Sequence, residues 1–344
     1  MEELAPAFNP NIEEPKTLLK ACPIYKSSPI RLINHAKGLR VTVKDETSRM
    51  HMGSFKALGG VYAVAKLIEQ LWEKSTGQKL RPDDYHTASV QSFSSNITFV
   101  CASAGNHGLA VAAGAKIFGA NARIHLSSEV PTSFIERLRN EKADIVNSGA
   151  TYEESVLAAV ADADATDAIL LADGSWPGYA HPPSLVMEGY TVIAEELRET
   201  FERHNNWPTH AFLQAGVGGL AGAITFMIRK NWKSQPAIII IEPDAAPCLL
   251  ESSKAGYPVQ VSGPISNMGR LDCKEPSIIA YEILKKSKVE YLTVSDEEAA
   301  AAVDELAANN FVTTPSGAAG YAGLNKFNLL LDAKPLIIIS EGKV

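Results

Sequence analysis

Lys56 is the residue whose type and position most favour chemistry. It follows Ser54 and Phe55 and opens a long apolar stretch with helical periodicity. Lysine is rarely buried unless it is paired or reactive. Burial near a helix N-terminus disfavours the ammonium form, and a neutral amine can form a Schiff base with an aldehyde. The sequence therefore predicts a reactive amine at Lys56, with an ordinary surface lysine at a helix end as the alternative.

Two glycine-rich turns each follow a strand-like apolar run and precede a helix-like stretch. The first is Ser103-Ala104-Gly105-Asn106-His107, and the second covers residues 215–222, with the sequence AGVGGLAG. Backbone N–H groups at such a turn, helped by the helix dipole, attract anions. Each turn is therefore a candidate site for a phosphate or a carboxylate.

The second turn also fits a different kind of cofactor. Its pattern Gly216-x-Gly218-x-x-Ala221 matches the dinucleotide fingerprint, and Glu242 ends the next apolar run, near where a ribose-binding acid would fall. The motif is weak, because any strand–turn–helix unit can bind a phosphate. A nicotinamide-dependent oxidoreductase therefore stays open at this point.

Strand-like and helix-like segments alternate along the chain, which predicts parallel α/β architecture with right-handed crossovers. Residues 74–95 are polar and poorly patterned, and they predict a loop insertion. The candidate strands are 39–44, 98–102, 122–126, 144–147, 168–171, 210–213, 237–241 and 336–339. The candidate helices are 55–76, 107–118, 133–142, 152–164, 182–201, 220–231, 277–286, 295–309 and 316–330.

Composition excludes several classes of protein. The 344 residues carry a formal charge of −7 and are 46% hydrophobic, which is a globular balance without the basic surface expected of a nucleic-acid binder. No apolar stretch approaches the roughly 20 residues of a membrane helix. The four cysteines are too few and too scattered for a disulfide scaffold or a CxxC metal site. We expect a cytoplasmic enzyme that needs no metal ion and contacts neither membrane nor nucleic acid.

Taken together, the motifs resemble the fold-type II pyridoxal-phosphate enzymes, the group that includes the serine and threonine dehydratases and the β subunit of tryptophan synthase. The matching pieces occur in the family's order and span nearly the whole chain: Ser54-Phe55-Lys56, the turn 103–107, the loop Gly216–Gly219, Pro315-Ser316-Gly317-Ala318, and a last strand followed by Ser340. The resemblance implies two parallel-sheet α/β domains with the cofactor in the cleft. The large domain would comprise residues 1–56 and 190–344, and the small one residues 57–189.

Within that group the chain is most similar to the diaminopropionate ammonia-lyases. The segments that carry this resemblance are Lys44-Asp45-Glu46, Gln214-Ala215-Gly216-Val217-Gly218, Asp173-x-x-Trp176, Met187-x-Gly189-Tyr190, and Met268-x-x-Leu271-x-Cys273-x-Glu275-Pro276. One departure matters, since that family usually carries an aspartate where this chain has Ala104. That acid is thought to serve the D enantiomer, so the departure predicts weak or no activity on D-substrates.

The resemblance implies a role for each matching residue. Lys56 would hold pyridoxal phosphate and then act as the base at Cα, while Phe55 would pack on the cofactor ring. Asn106 would bond the ring 3′ oxygen, and Ser340 would face the pyridine nitrogen. The phosphate would lie on backbone N–H groups of Gly216, Val217, Gly218, Gly219 and Leu220.

The same resemblance implies a substrate site. The turn formed by Ser103, Ala104, Asn106 and His107 would hold the substrate carboxylate. Asp173 would read the β-substituent or protonate the leaving group, with a turn-capping aspartate as the alternative. Cys248 and Cys273 stand where the family can form a disulfide, although a cytoplasmic redox poise favours free thiols.

The activity implied is α,β-elimination of a small β-substituted amino acid, which releases ammonia and a 2-keto acid by way of aminoacrylate. A dehydratase of a β-hydroxy amino acid (serine, threonine or a 3-substituted serine) is the alternative that Ala104 keeps open. The fold is usually dimeric, so a homodimer is expected.

Overall fold

The computed structural model describes residues 7–103, 105–128, 130 and 132–343, with the backbone alone at 152 and 153. Ala104, the departure noted above, lies outside the described residues. No helix in the described ranges is long and apolar enough to cross a membrane.

Within these residues the strands form two sheets. In chain order they are β1 (Ile30–Asn34), β2 (Arg40–Asp45), β3 (Thr98–Ala102), β4 (Asn121–Leu126), β5 (Asp144–Asn147), β6 (Ile169–Leu170), β7 (His210–Gln214), β8 (Ala237–Pro243), β9 (Glu290–Val294) and β10 (Pro335–Ile339). One sheet has the order β1-β2-β10-β7-β8-β9, and the other has the order β5-β4-β3-β6. All neighbours pair in parallel except β1 and β2, which are antiparallel. This is the α/β fold class that the sequence predicted.

The helices cover the sheets. They are α1 (Glu14–Lys20), α2 (Lys56–Thr76), α3 (Ala88–Ser94), α4 (Asn106–Phe118), α5 (Thr132–Asn140), α6 (Tyr152–Ala165), α7 (His181–His204), α8 (Gly219–Asn231), α9 (Cys248–Ala255), α10 (Ile278–Lys285), α11 (Asp296–Ala307) and α12 (Pro315–Lys326). The central strands β8 and β10 are almost wholly buried, as their Ile-rich sequences require when helices lie on both faces of a parallel sheet.

Two glycines bring α2 and α7 into close contact, and this contact positions the start of α2. A Cβ added at Gly59 would lie 2.6 Å from the Val186 carbonyl, and one added at Gly189 would lie 2.6 Å from the Leu58 carbonyl. No side chain larger than hydrogen fits at either position. The approach brings Tyr190 of α7 beside the first turn of α2.

A buried ion-pair network fixes the segment that leads into Lys56. The Lys44 amine lies 2.5 Å from Glu196 of α7, and Arg49 pairs with the same carboxylate at 2.8 Å and with Glu46 at 2.6 Å. Two positive and two negative charges balance, and charged groups are found buried only when they are paired in this way. The Lys44-Asp45-Glu46 motif therefore supplies part of a structural network between β2 and α7.

The structure corrects several sequence-based assignments. The predicted loop at 74–95 is wrong, since it contains the end of α2, a 3₁₀ helix at Pro82–His86 and α3, with Tyr85 buried against Phe118. The strands β1 and β9 and the helices α1, α3 and α9 were not predicted at all. Such short elements owe their stability to tertiary packing rather than to local pattern, so little in the sequence marks them.

Candidate active site

Lys56 opens α2, and its amine forms an ion pair with the carboxylate of Asp173. Asp173 lies in the loop after β6, at the carboxyl end of the smaller sheet. The two side chains are 20% and 24% exposed, so the pair can be reached from solvent. The structure thus brings together the two residues that the sequence nominated for catalysis.

The protonation of this pair differs from the expectation. Burial is the largest single effect on the Lys56 amine and lowers its pKa, but the charge and hydrogen bond of Asp173, together with Tyr190 and Cys273, raise that pKa above its usual value. Burial likewise raises the pKa of the Asp173 carboxyl, while Lys56 and His107 lower it to a net value below normal. The expectation of a destabilised ammonium at Lys56 is therefore wrong, because it considered burial and the helix end without the carboxylate partner.

Two aromatic rings frame the Lys56 amine. The Phe55 and Tyr190 ring centroids are 4.9 Å apart in an edge-on arrangement, and the Lys56 Nζ atom lies 5.4 Å and 5.8 Å from these rings. The Tyr190 hydroxyl is buried and has no hydrogen-bond partner within the described residues. Sequence analysis missed Tyr190 as a site residue, because its motif resembled the family but suggested no chemistry.

The first glycine-rich turn lies at the start of α4 and is held by side chains. Gly105 donates its N–H to the Ser103 hydroxyl at 3.2 Å, and the Asn106 amide donates to the Glu341 carboxylate at 2.5 Å. The Asn106 Oδ1 atom is buried and unpartnered among the described residues. Glu341 was also missed, although it directly follows Ser340.

His107 is not placed to act as a general base, because its imidazole is bound to a backbone carbonyl. Its Nε2 atom lies 2.8 Å from the Leu171 carbonyl oxygen, which fits a neutral ring that donates a proton there. Burial lowers the pKa of the ring, and Lys56 lowers it further against the opposing effect of Asp173. His107 can therefore contribute to an anion site only through its backbone N–H at the helix start.

The second glycine-rich turn forms a cradle of backbone N–H groups at the start of α8. Gly218 has φ = +97°, a conformation that disfavours any residue with a Cβ. A Cβ added there would lie 3.0 Å from Ala280 Cβ and from Leu249 Cδ1. The first N–H groups of a helix have no intrahelical acceptor, so those following Gly218 are free to bind an anion.

Changing Gly218 to alanine is expected to weaken cofactor binding by at least about tenfold. The Cβ would strain the backbone at positive φ and crowd its neighbours, at a cost of about 1–3 kcal/mol, and relief of this strain would displace the cradle. Cofactor retention on dialysis measures the effect. Gly77→Ala is the matched control, because Gly77 also has positive φ but an added Cβ would meet nothing within 4 Å. Equal cofactor retention in both variants would contradict a phosphate cradle at Gly218.

Ser340 directly follows the central strand β10 and is buried. Its carbonyl oxygen accepts a hydrogen bond from the Phe55 N–H at 3.1 Å. This bond ties the end of β10 to the start of α2. The predicted cofactor residues at the two ends of the sequence therefore meet here.

Glu242 has a structural role that removes the ribose-binding interpretation. Its carboxylate accepts the N–H groups of Leu249 and Leu250, at 2.7 Å and 2.8 Å, and so stabilises the start of α9. Burial raises the pKa of this carboxyl to about 7. A carboxylate engaged in this way cannot bind a ribose hydroxyl, and the nicotinamide alternative loses its second supporting residue.

The four cysteines are present as free thiols. Cys248 donates its S–H toward the Gly216 carbonyl at 3.6 Å, and Cys273 Sγ lies 2.8 Å from where a Gly216 Cβ would be. Burial raises the pKa of the Cys273 thiol to about 11.

Among the described residues no cluster of three His, Cys, Asp or Glu side chains could hold a metal ion.

Comparison with known proteins agrees with this geometry. The profile of the family described as "Pyridoxal-phosphate dependent enzyme" matches residues 22–341. The chain belongs to this family. The fold-type II resemblance is thereby confirmed, the cofactor is pyridoxal phosphate, and the nicotinamide interpretation is excluded.

Three relatives indicate the branch of the family. Diaminopropionate ammonia-lyase of Salmonella typhimurium is 30% identical, over 94% of this chain and 87% of its own length. The crystal structure of the Escherichia coli diaminopropionate ammonia-lyase with an aminoacrylate–PLP azomethine reaction intermediate has a TM-score of 0.83 and 27% identity, covering all of this chain (100%) and 91% of that one. A probable D-serine dehydratase of Sinorhizobium medicae is 29% identical over 65% of this chain and 51% of its own length. The chain is therefore an enzyme of the ammonia-lyase and dehydratase group.

The residues present fit the cofactor. The N–H cradle after Gly218 suits its phosphate, and Lys56 carries the amine that can bind its aldehyde. The Asn106 Oδ1 atom and the Tyr190 hydroxyl are buried polar atoms without a hydrogen-bond partner among the described residues, so a bound cofactor could satisfy them.

Proposed function

We propose that this enzyme catalyses α,β-elimination of a small β-substituted amino acid and releases ammonia and a 2-keto acid. The observation that carries the proposal is the Lys56–Asp173 ion pair, in which two groups that can exchange a proton are in direct contact between two anion-binding turns. One turn suits a phosphate and the other a carboxylate. A β-elimination needs these functions together.

In this proposal each predicted cofactor residue keeps its role. Lys56 holds pyridoxal phosphate, the N–H groups of residues 216–220 bind the phosphate, Asn106 and Ser340 bond the ring, and Phe55 packs on it. When bound, the cofactor supplies an electron sink for the charge that develops at Cα. Ser340 would present a neutral hydroxyl to the ring nitrogen of the cofactor. Such a hydroxyl does not force that nitrogen to stay protonated.

The protein's own groups move the protons. The proton that the ion pair shares first passes from Lys56 to Asp173, which leaves a neutral amine and a neutral acid. Lys56 then removes the Cα proton, and Asp173 gives its proton to the β-substituent as the Cβ bond breaks and the leaving group departs with the bonding electrons. Ser103, Asn106 and His107 hold the substrate carboxylate at the start of α4. Water then converts the released enamine product to a keto acid and ammonia, so diaminopropionate plus water would yield pyruvate and two ammonia molecules.

The alternative substrate is a β-hydroxy amino acid, and one sequence observation favours it. Position 104 carries a neutral alanine where diaminopropionate ammonia-lyases usually carry an acid. In that case the leaving group is water, and the products are one keto acid and one ammonia. The catalytic residues and their roles are the same.

A release assay tests both versions. The purified holoenzyme is incubated with L- and D-diaminopropionate, serine, threonine and β-substituted serines, while keto acid and ammonia are measured. We expect turnover of L-substrates and weak or no turnover of D-diaminopropionate. Strong D-diaminopropionate turnover would contradict the significance given to Ala104, and no keto acid from any substrate would overturn the elimination itself.

The remaining expectations stay proposals. We propose two domains, a large one formed by residues 1–56 and 190–344 and a small one formed by residues 57–189. We also propose a cytoplasmic location and a homodimer. Light scattering on the purified protein tests the homodimer. The Cys248–Cys273 disulfide also stays a proposal: the two thiols are free in the structure, but both side chains lie beside Gly216. Mass spectrometry without reductant would exclude it by finding both thiols free.

A further inference from the structure

Two arginines share one aromatic ring, and one of them lies against the substrate turn. The guanidinium carbon of Arg270 lies 4.8 Å from the Phe134 ring centroid, and that of Arg137 lies 5.4 Å from it. A Cβ added at Gly105 would touch Arg270 at 3.2 Å. Arg270 therefore lies directly against the turn that the proposed function gives to the substrate carboxylate.

The hydrogen-bonding capacity of these guanidinium groups is largely unused. Arg137 donates one N–H to the Met52 carbonyl at 3.0 Å, but its Nη1 atom is buried and unpartnered within the described residues. Arg270 has Glu341 as its ionic partner at 3.9 Å, too far for a hydrogen bond. The Glu341 oxygens already accept from Asn106 and Thr314, each at 2.5 Å.

Two guanidinium groups that lie close to one another repel, which adds to the cost of burying Arg137. Burial and the charge of Arg270 both lower the pKa of Arg137. Glu341 lies 3.9 Å from Arg270, and Glu141 opposes the shift at Arg137, but neither provides the short charge-assisted hydrogen bonds that a bound anion would add. The N–H groups and the helix dipole of the turn would already stabilise the α-carboxylate of a bound amino acid. Two additional cations are more than this one carboxylate needs.

We propose that Arg270 and Arg137 bind a second acidic group on the substrate, so that the enzyme prefers β-substituted amino acids that carry a side-chain carboxylate. The inference rests on the proposed elimination and narrows its substrate class. A guanidinium matches a carboxylate in shape and charge, whereas it repels the β-ammonium of diaminopropionate. A 3-hydroxylated acidic amino acid has the required groups.

Calorimetry on the holoenzyme tests the acidic group without turnover. L-aspartate and L-asparagine have nearly the same shape, differ in side-chain charge, and carry no β leaving group that elimination expels. We expect aspartate to bind at least about tenfold tighter, as charge-assisted hydrogen bonds predict. Equal affinities would overturn the proposal.

Variants separate the second carboxylate from the first. Arg270→Gln should remove most of the aspartate preference and leave asparagine binding nearly unchanged, which also shows that the variant is folded. Arg270→Lys should retain part of the aspartate preference, because the positive charge remains although the planar guanidinium fork is lost. Arg139→Gln, on the same helix as Arg137 but exposed, is the control that should change nothing. Equal weakening of both ligands by Arg270→Gln would mean that Arg270 serves the α-carboxylate, which overturns the proposal.

Turnover distinguishes this inference from the proposed function. Keto-acid release is compared for 3-hydroxyaspartate, L-serine and L-diaminopropionate, and the acidic substrate should have the highest kcat/KM. If all three react equally in wild type and in Arg270→Gln, the acidic preference is overturned while elimination stands. If none reacts but the aspartate preference depends on Arg270, elimination fails while the anion site is supported.

Discussion

Replacing Lys56 with alanine is expected to lower kcat for elimination by at least about a thousandfold, because the variant loses both the cofactor's covalent partner and the base at Cα. The visible absorbance of the covalently held cofactor should be lost on dialysis. Spectra and keto-acid release measure the two effects. Thermal unfolding should change less, because α2 is stabilised by packing along its whole length and Asp173, which is 24% exposed, keeps access to solvent when its partner is removed.

The control for this variant lies on the same helix. Lys74→Ala changes an exposed lysine in the last turn of α2, far from Asp173. Its colour and activity should equal those of the wild type. If Lys56→Ala kept both its colour after dialysis and its activity, then Lys56 would not be the cofactor lysine.

The second large effect concerns Asp173. Asp173→Asn is expected to retain the cofactor but to lower kcat by about a hundredfold to ten-thousandfold, the usual range for loss of an acid that protonates a leaving group. Asp167→Asn changes an exposed carboxylate shortly before β6 and should leave kcat unchanged. Unaltered kcat in Asp173→Asn would confine Asp173 to a structural role.

The same variant has a readout that does not depend on turnover. The Asp173 charge raises the pKa of the Lys56 amine, so removing it shifts the ammonium–amine equilibrium toward the amine. Only the amine reacts with an aldehyde. Reconstitution of the cofactor-free variant should therefore reach its half-maximal rate at a lower pH than in the wild type. An identical pH profile would show that Asp173 does not control the protonation of Lys56.

The sequence alone was sufficient for the fold class, the family and its cofactor. Buried parallel strands such as β10 are continuous apolar runs, and the glycine-rich turns come directly after strands, so both are local patterns. The order of the motifs around Lys56, Asn106 and Gly218 was specific enough to indicate the family and the cofactor. These features are legible because each depends on residues that are adjacent in the chain.

Contacts between distant segments could not be predicted from the sequence. Glu341 reaches Asn106 and Thr314, and Tyr190 meets Phe55 only because Gly59 and Gly189 let two helices approach closely. No spacing rule predicts which partner a polar side chain meets across so many residues. The expected state of Lys56 failed for this reason, since a pKa depends on the charges nearby in space.

The sequence by itself thus determined the architecture and the cofactor class, and it nominated the lysine that we propose serves the cofactor. The tertiary structure alone decided the electrostatics: the pairing of Lys56 with Asp173, the engagement of Glu242 at the start of α9, and the meeting of Arg137 and Arg270 over Phe134. Local patterns determine secondary structure and turns, whereas Coulomb interactions depend on distance in space. Substrate preference depends on those interactions, so it becomes testable only once the chain is folded.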